Sequence, residues 1–533
     1  MKDYDLIIKD ARIYDGTGDP SFTGSVAVKD GKIAAVFKEE NSDRVYADAD
    51  SEINADGLCL APGFIDSHSH ADEEIFVNSG REQALRMGVT TEVAGQCGHT
   101  ESPYPENVDE KLFHMASGCW GGRPYRDFGS LARDVSMLSL GTNQAWFTGH
   151  GALRTSVIGF ENRKATEEEI SEMASLLDRE MKGGALGFST GLAYVPGIYS
   201  DVHELSELGR VLRKYGGIYT SHTRSESGGL FDAVQEVIDV AKIAGIRGNI
   251  SHFKACYPDY WDRMDRAIRM VDSAIDEGVD ITMDAYPYIA VSTSTLSAMP
   301  AKFLDKGAEA FAESLNDPDV VEAIRHEIYD VDDPSWDNAL KHAGPDRFLV
   351  VHAGETPWME GKSYTEIAEE LHTDPFMAAI TALRENHGHI TDVRFIMSEE
   401  NVEKVLAHPV CTVGSDGIWM KGRDRTCHPR AFGTFPRYLG HYIRDRKILS
   451  REEGIRRITG LPAERYGLRG KGFIKAGYDA DIVLFDYDTI RDGGDFKDPF
   501  KKNEGIFEVI VAGNPAVKEN ELTGVYSGRF IKR

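Results

Sequence analysis

Short apolar segments alternate with helical segments through most of the middle of the chain, and this alternation predicts parallel strands connected by helices. The clearest unit starts with the apolar segment 218–222 and continues with apolar residues at helical spacing from Leu230 to Ala241. Gly245 is expected to end this helix, and the segment 248–252 is expected to form the next strand. The two strands end roughly 30 residues apart, which is the length of one βα repeat.

Eight strand candidates of this kind predict an α/β protein with a TIM-like (β/α)8 barrel. They lie at 63–68, 91–97, 145–150, 186–190, 218–222, 248–252, 280–286 and 411–416. Two further apolar segments, 348–352 and 393–397, do not fit a count of eight, so a wrong assignment of strands remains the alternative. Residues 290–350 are rich in Asp, Glu and Ala with helical character, and we expect them to form an inserted lid subdomain after the seventh strand.

The two ends of the chain share a different pattern, in which short β-branched segments are joined by tight turns such as Asp30-Gly31. Such segments occupy 4–14, 25–36, 480–485 and 509–514. We expect residues 1–60 and 460–533 to form one small β-sandwich domain, and residues 61–459 to form the barrel. The alternative is two separate β appendages, one at each end.

Composition and charge narrow the classes of protein that fit this pattern. The chain has 533 residues, of which 41% are hydrophobic and 28% charged, and this balance excludes a mostly disordered, collagen-like or coiled-coil protein. The net charge of −27 opposes non-specific binding to nucleic acid or to an anionic membrane. No apolar run reaches about 18 residues, so no transmembrane helix is predicted. The first residues lack the pattern of a signal peptide, and six cysteines in so long a chain favour reduced thiols in a cytoplasmic protein.

The sharpest local signal is a His-x-His sequence, His68 and His70, at the end of an apolar strand. Residues i and i+2 of a strand face the same way, so both imidazoles point into one site at the end of the barrel that carries its chemistry. The ends of other predicted strands carry Cys97, His222, His252 and Asp416. Imidazole, thiolate and carboxylate ligands together suit zinc. The alternatives are surface histidines and, for the cysteine, a small residue of the core.

Longer segments resemble the metal-dependent amidohydrolases and, more narrowly, the N-acyl-D-amino-acid deacylases, also called D-aminoacylases. The His-x-His strand marks only the superfamily, whereas Cys97, Ser189-Thr190-Gly191-Leu192 and the sequence Asp-Ala-Tyr-Pro-Tyr at 284–288 mark the narrower family. Other matching segments are 62–70, 149–154, 187–194, 250–254, 414–417, 428–437 and 460–463. The matches therefore extend through nearly the whole chain.

The resemblance implies a barrel with a β domain built from both ends, and it implies which residues bind metal. A tightly held zinc ion would lie on Cys97, His222 and His252. A second, weaker metal position would involve His68, His70, Cys97 and Asp416, with the thiolate in the place of the carboxylated lysine of many amidohydrolases. From its residue type, Asp416 is the candidate general base that later delivers a proton to the leaving amine.

The resemblance also implies a pocket for the carboxylate of an amino acid. Its equivalents here are Lys254, Tyr286, Ser292 and Arg430, and Tyr194 is a further candidate for substrate binding. Lys254 lies two residues after His252 and so faces the same side, and Arg430 suits bidentate binding of a carboxylate. The segment 417–427 is bulkier and more basic than the family pattern, with Trp419, Lys421, Arg423 and Arg425.

These observations predict zinc-dependent hydrolysis of the amide bond of N-acyl-D-amino acids, giving a carboxylate and a free D-amino acid. The preference for D over L comes from the resemblance alone. One alternative is another amidohydrolase reaction in the same site, cleavage of a D-containing dipeptide or a cyclic amide; another is a non-catalytic binding homologue. The expected partner is a small-molecule N-acyl amino acid, with no nucleic acid and no membrane, and the sequence leaves the oligomeric state open.

Overall fold

The computed structural model describes residues 2–38, 48–105, 113, 122–333, 336–419 and 427–533. Strands β1–β5 are Tyr4–Ile13, Phe22–Lys29, Lys32–Lys38, Ala49–Asn54 and Cys59–Pro62. Strands β6–β13 are Phe64–Asp66, Val89–Ala94, Asn143–Trp146, Thr148–Gly149, Gly187–Gly191, Ile218–His222, Arg247–Ile250 and Ile281–Ala285. Strands β14–β21 are Val291–Ser294, Phe348–Ala353, Ile390–Arg394, Cys411–Val413, Ile482–Phe485, Ile506–Val511, Asn514–Lys518 and Glu521–Leu522.

The described α-helices lie mainly between the parallel strands and in the insertion. They are Ala71–Glu74, Glu82–Arg86, Phe128–Ser136, His150–Val157, Glu167–Gly183, Val202–Arg213, Leu230–Ala244, Met264–Asp276, Ala308–Ser314, Pro318–Tyr329, Ala339–Ala343, Tyr364–Leu371, Pro375–Glu385, Glu399–Ala407, Arg430–Arg437, Arg451–Arg457 and Gly460–Tyr466. The predicted end of the helix that starts at Leu230 is confirmed, because Gly245 caps it in the left-handed conformation with a φ of 65°. Among the described residues, no helix combines the length and the apolar character that a membrane span needs.

Strands from both ends of the chain form one nine-stranded sheet, in the order β21-β20-β19-β18-β5-β1-β2-β3 with β4 paired to β1. Strand β5 joins the two halves because it pairs in parallel with β1 and antiparallel with β18. The turn between β2 and β3 has Asp30 and Gly31 at positive φ, 51° and 72°, as a tight hairpin requires. Strands from the two termini therefore pair with each other, as expected. They form one continuous hydrogen-bonded sheet, whereas the predicted β-sandwich would have two separately bonded sheets.

The middle of the chain contains two parallel sheets, β6-β7-β8 and β9-β10-β11-β12-β13-β17. Only Phe147 separates β8 from β9, so the two sheets follow each other without a crossover. Backbone hydrogen bonds also link them: Leu186 N–H donates to Trp146 O at 2.8 Å, and Ser67 N–H donates to Val413 O at 3.3 Å. The neighbouring strands follow the order of the chain, and their carboxyl ends share one side, as parallel crossover connections require.

An insertion between β13 and β17 carries its own antiparallel sheet, in the order β14-β16-β15. The two apolar segments that did not fit a count of eight supply most of β15 and the last two residues of β16. The insertion therefore continues beyond the predicted limit at residue 350, because its central strand β16 pairs with both neighbours and comes later in the chain. Buried side chains from its strands and helices form a separate apolar cluster that includes Phe311, Ile324, Phe348, Ile380 and Ile390.

Candidate functional site

Side chains at the carboxyl ends of five parallel strands meet in one cluster. In chain order, β6, β7, β11, β12 and β17 lead to His68 and His70, Cys97, His222, His252, and Asp416. All six residues predicted as metal ligands are therefore brought together. Because the carboxyl ends of parallel strands share one side of a sheet, residues far apart in sequence become neighbours there.

Cys97 lies at the centre of the cluster. Its sulfur is 3.5 Å from His68 Nε2, 3.7 Å from His222 Nδ1 and 3.7 Å from His252 Nε2. The facing nitrogens of His222 and His252 are 2.8 Å apart. One thiol thus touches imidazoles from three different strands, as a thiolate shared between metal positions would.

Asp416 forms the other side of the cluster, toward the His-x-His pair. Its Oδ1 is 3.1 Å from His70 Nε2 and 3.6 Å from His68 Nε2. Its Oδ2 is 2.8 Å from Arg430 Nη1. The carboxylate therefore lies between candidate metal ligands and a buried cation.

Three of these residues have a left-handed backbone, with φ of 55° at Cys97, 36° at His252 and 49° at Asp416. Such conformations in non-glycine residues cost of order 1–3 kcal/mol and persist only where surrounding structure fixes them. Here, Asp416 N–H donates to His68 O at 2.7 Å, and His252 N–H donates to Asp284 Oδ1 at 2.7 Å. The predicted strands extended to Cys97 and Asp416, whereas β7 ends at Ala94 and β17 at Val413, so these side chains are presented by tight turns.

The surroundings of the cluster favour the ionised, negatively charged forms of Cys97 and Asp416, which attract a cation. Burial opposes ionisation of the Cys97 thiol, but the charge of His68 and hydrogen bonds from the other imidazoles hold its pKa well below the ordinary value. Burial likewise opposes ionisation of Asp416, but the Arg430 guanidinium holds the pKa of that carboxyl well below its usual range. Burial lowers the pKa of His68, yet Asp284 and Cys97 outweigh it and raise this pKa to about 10.

The donor set of the cluster fits a divalent metal ion. Five groups that ionise to anions lie in or against it: Glu73, Cys97, Glu226, Asp284 and Asp416. Two buried cations, Lys254 and Arg430, lie among them. Thiolate, imidazole and carboxylate ligands are those of zinc sites, and the excess of anions over cations favours a dication.

Three of these carboxylates escaped the sequence analysis. Asp284 lies on β13 and is 1% exposed, Glu226 follows His222 by four residues, and Glu73 follows His70 by three. Asp284 was visible as the first residue of the family-like sequence Asp-Ala-Tyr-Pro-Tyr. For the glutamates, the short spacing to a candidate ligand was the only signal.

A cavity of about 860 Å³ opens beside the cluster. Five of the six candidate ligands line it, while His68 lies behind them and is fully buried. Loops of the parallel strands and the insertion supply apolar walls: Phe160, Val195, Ile198, Leu296, Met299 and Leu304. The insertion therefore helps to shape the space next to the cluster.

The cavity also contains all five residues predicted to bind substrate: Tyr194, Lys254, Tyr286, Ser292 and Arg430. The two cations are not free, since Lys254 Nζ donates to Glu226 Oε1 at 2.6 Å and Arg430 contacts Asp416. Arg430 also donates to Ser292 O at 3.2 Å and lies over the Tyr286 ring, with its Cζ 4.7 Å from the centroid.

Three donors that line this pocket have hydrogen-bonding capacity to spare. In the part of the chain that the structure describes, the buried Tyr286 hydroxyl, Arg430 Nε and Trp419 Nε1 have no hydrogen-bond partner. Tyr194 is engaged, with its hydroxyl 3.1 Å from Thr293 Oγ1. Buried polar groups without a partner are uncommon, and beside a cavity they indicate a place where a ligand binds.

The basic segment after Asp416 is only partly described. Trp419 lines the cavity and packs against Phe432, with ring centroids 5.2 Å apart. Lys421, Arg423 and Arg425 lie outside the described residues.

Comparison with known proteins places these features in a wider context. Residues 354–517 match the model of the Amidohydrolase family. Over 531 residues, the chain is 30% identical to D-aminoacylase from Alcaligenes xylosoxydans xylosoxydans, an alignment that covers 99% of this chain and 98% of that relative.

Two solved structures are similar over 99% of this chain and 100% of their own. One is N-acyl-D-glutamate deacylase from Bordetella bronchiseptica, complexed with zinc and a phosphonate inhibitor that mimics the tetrahedral reaction intermediate, with a TM-score of 0.83 and 28% identity. The other is a D-aminoacylase with a binuclear metal centre, for which one-metal activation and second-metal attenuation are described. Its TM-score is 0.82 and its identity to this chain is 28%.

Proposed function

Since the chain belongs to the D-aminoacylase family of amidohydrolases, we propose that it hydrolyses the amide bond of N-acyl-D-amino acids with zinc as its metal cofactor. The products are a carboxylate and a free D-amino acid. The observation that carries the proposal is the position of the Cys97 sulfur, within 3.7 Å of three imidazoles and at the wall of a large cavity.

We also infer the architecture that the sequence predicted, a (β/α)8 barrel within residues 61–459 and a small domain from residues 1–60 and 460–533. The barrel is supported by parallel strands that follow the chain order and by the bond from Ser67 to Val413, which joins the first strand to the last. The small domain is supported by the pairing of β5 with β18.

Two metal positions are supported by the distances in the cluster. Cys97, His222 and His252 would hold the tight zinc ion, and His68, His70, Cys97 and Asp416 would hold the weaker one. When bound, zinc lowers the pKa of water toward about 7 and polarises a carbonyl group. Cys97 belongs to both sets of candidate ligands, so no modified lysine would be needed between the two positions.

Asp416 is the residue that moves the proton. Its carboxylate lies in the cavity wall and is ionised at neutral pH, because the charge of Arg430 and the neighbouring histidines together outweigh the cost of burial and lower its pKa. It can therefore accept a proton from the attacking water and later deliver it to the leaving amine. Arg430 keeps its orientation through Oδ2 and leaves Oδ1 toward the histidines.

The substrate carboxylate binds at the group formed by Tyr286, Arg430, Lys254, Ser292 and Tyr194. The Tyr286 hydroxyl and Arg430 Nε are the donors that remain available, whereas Lys254 contributes positive charge while it stays bonded to Glu226. The apolar walls from the insertion and the 195–198 segment take the acyl group or the amino-acid side chain.

The proposal is tested by hydrolysis of paired D and L N-acetyl amino acids, with the zinc content of the protein measured in parallel. We expect release of the D-amino acid only, loss of activity on chelation and recovery when zinc is added back. Equal rates for both enantiomers would contradict the proposal, as would faster cleavage of cyclic amides or of D-containing dipeptides.

Replacement of Asp416 by Asn should separate metal binding from catalysis. The tight zinc ion stays bound, because its three ligands do not include Asp416, while turnover falls by at least about 100-fold, the lower range for general acid–base catalysis. The measurements are metal stoichiometry and kcat. The control is Glu360→Gln, which alters another carboxylate of the same cavity, on the insertion, and should retain activity. Near-normal turnover of Asp416→Asn would show that a different group moves the proton.

Replacement of Tyr286 by Phe should weaken substrate binding without destabilising the protein, because the hydroxyl has no partner among the described residues. Loss of one hydrogen bond to a charged carboxylate, about 1.5–3 kcal/mol, corresponds to a rise of roughly 13- to 160-fold in KM. The rise should be smaller for the matching amino-acid amide, which lacks the carboxylate. Tyr364→Phe is the control, since that hydroxyl lies 3.0 Å from Thr295 Oγ1 in the insertion and its loss should lower Tm. Equal loss for both substrates, or a lower Tm of Tyr286→Phe, would show that the hydroxyl is structural.

A further inference from the structure

Three of the four clustered histidines have a carboxylate against the ring nitrogen that faces away from the metal positions. Asp284 Oδ1 is 3.0 Å from His68 Nδ1. Glu226 Oε1 is 2.9 Å from His252 Nδ1. Glu73 Oε1 is 3.0 Å from His70 Nδ1. The three carboxylates come from a strand, a loop and a helix, so no local repeat of the sequence accounts for the pattern.

The other nitrogen of each ring, Nε2, faces the cluster. In His68 and His252 it lies 3.5 and 3.7 Å from the Cys97 sulfur. In His70 it lies 3.1 Å from Asp416 Oδ1. A neutral imidazole carries one proton, so a metal can take Nε2 only when the proton is on Nδ1, where it needs an acceptor.

We propose that Asp284, Glu226 and Glu73 are positioning residues, each of which holds the proton of one histidine on Nδ1 and so presents Nε2 to the metal. The inference rests on the proposed function in requiring that the cluster binds zinc. Carboxylates in this place orient metal-binding imidazoles and increase their basicity.

Glu226 contacts Lys254 in addition to the His252 ring. Lys254 Nζ lies 2.6 Å from Glu226 Oε1 and 2.8 Å from His252 Nδ1. An ammonium group can only donate hydrogen bonds, so Glu226 is the acceptor available for both neighbours. The same carboxylate therefore connects a ligand of the tight metal position to a cation of the substrate pocket.

Asp284 connects the two metal positions through a different route. Besides His68, its Oδ1 accepts the backbone N–H of His252 at 2.7 Å, and its Oδ2 accepts from Asn249 Nδ2 at 2.7 Å. It thus fixes the ring of one ligand and the left-handed backbone of another, at a site that is 1% exposed. Glu73, by contrast, makes its ionic contact among the described residues with His70, a ligand of the weaker position.

The contrast between Glu226 and Glu73 provides the test. Glu226→Gln and Glu73→Gln each remove one negative charge with little change of volume. In the full-length protein, we expect Glu226→Gln to weaken the first zinc ion by about 10- to 100-fold. We expect Glu73→Gln to leave the first zinc ion unchanged and to weaken the second by a similar factor. Affinity is measured by competition with a chelator, and the visible spectrum of the cobalt-substituted protein reports the geometry around the thiolate.

No substrate is needed, so this result is independent of hydrolytic activity. Tm of the metal-free variants separates positioning from stability, because a merely structural role would lower Tm without changing the cobalt spectrum. Glu226→Asp, which keeps the charge on a shorter side chain, should recover part of the first affinity. If Glu226→Gln does not fold, Glu73→Gln alone must still weaken only the second ion.

Two outcomes would overturn the inference, and they differ from failure of the proposed function. If wild-type protein binds zinc and neither variant changes its affinity, the carboxylates do not position the ligands. The same holds if both variants weaken both ions equally. A wild-type chain that binds no zinc would instead contradict the proposed function itself, and this inference with it.

Discussion

The placement of one thiol between imidazoles of different strands is the constraint on which the rest of the site depends. The Cys97 sulfur reaches His68, His222 and His252 only because four parallel strands, β6, β7, β11 and β12, end at the same side of the molecule. The chain then turns sharply after these strands, with a left-handed backbone at Cys97 and His252. At His252 this strain persists because the Asp284 carboxylate accepts the backbone N–H and fixes the turn.

The buried negative charges of the cluster require nearby positive charge, and two buried cations supply part of it. Lys254 and Arg430 each pair with one carboxylate of the cluster, Glu226 and Asp416. The remaining excess of negative charge suits a divalent ion, since buried charge is tolerated only when it is paired. Lys254 and Arg430, the cations predicted to bind the substrate carboxylate, therefore also balance the charge of the metal site. This dual use explains why the donors available to the substrate carboxylate include the Tyr286 hydroxyl and Arg430 Nε, while Lys254 stays bonded to Glu226.

The sequence was sufficient for the features that depend on local pattern. The alternation of strands and helices placed the six candidate ligands at strand ends, and the tight turn at Asp30-Gly31 indicated the terminal sheet. Contacts across long separations were not accessible: His68 and Asp284 are 216 positions apart, and no periodicity connects them. The sequence predicted an end of the insertion at residue 350, which is too early. Strand β16 belongs to the insertion because it pairs with β14 and β15, and this pairing has no signal in the sequence. The pairing of Lys254 with Glu226 was missed for the same reason, since it depends on how two loops fold together.

The central claim is that the Cys97 thiolate, with two imidazoles, holds the tightly bound metal. X-ray absorption at the zinc edge, on protein loaded with one equivalent of zinc, tests it most directly. The account predicts one sulfur ligand at about 2.3 Å and two nitrogen ligands at about 2.0–2.1 Å. A spectrum with only nitrogen and oxygen ligands would contradict the account, because the first ion would then lie away from Cys97.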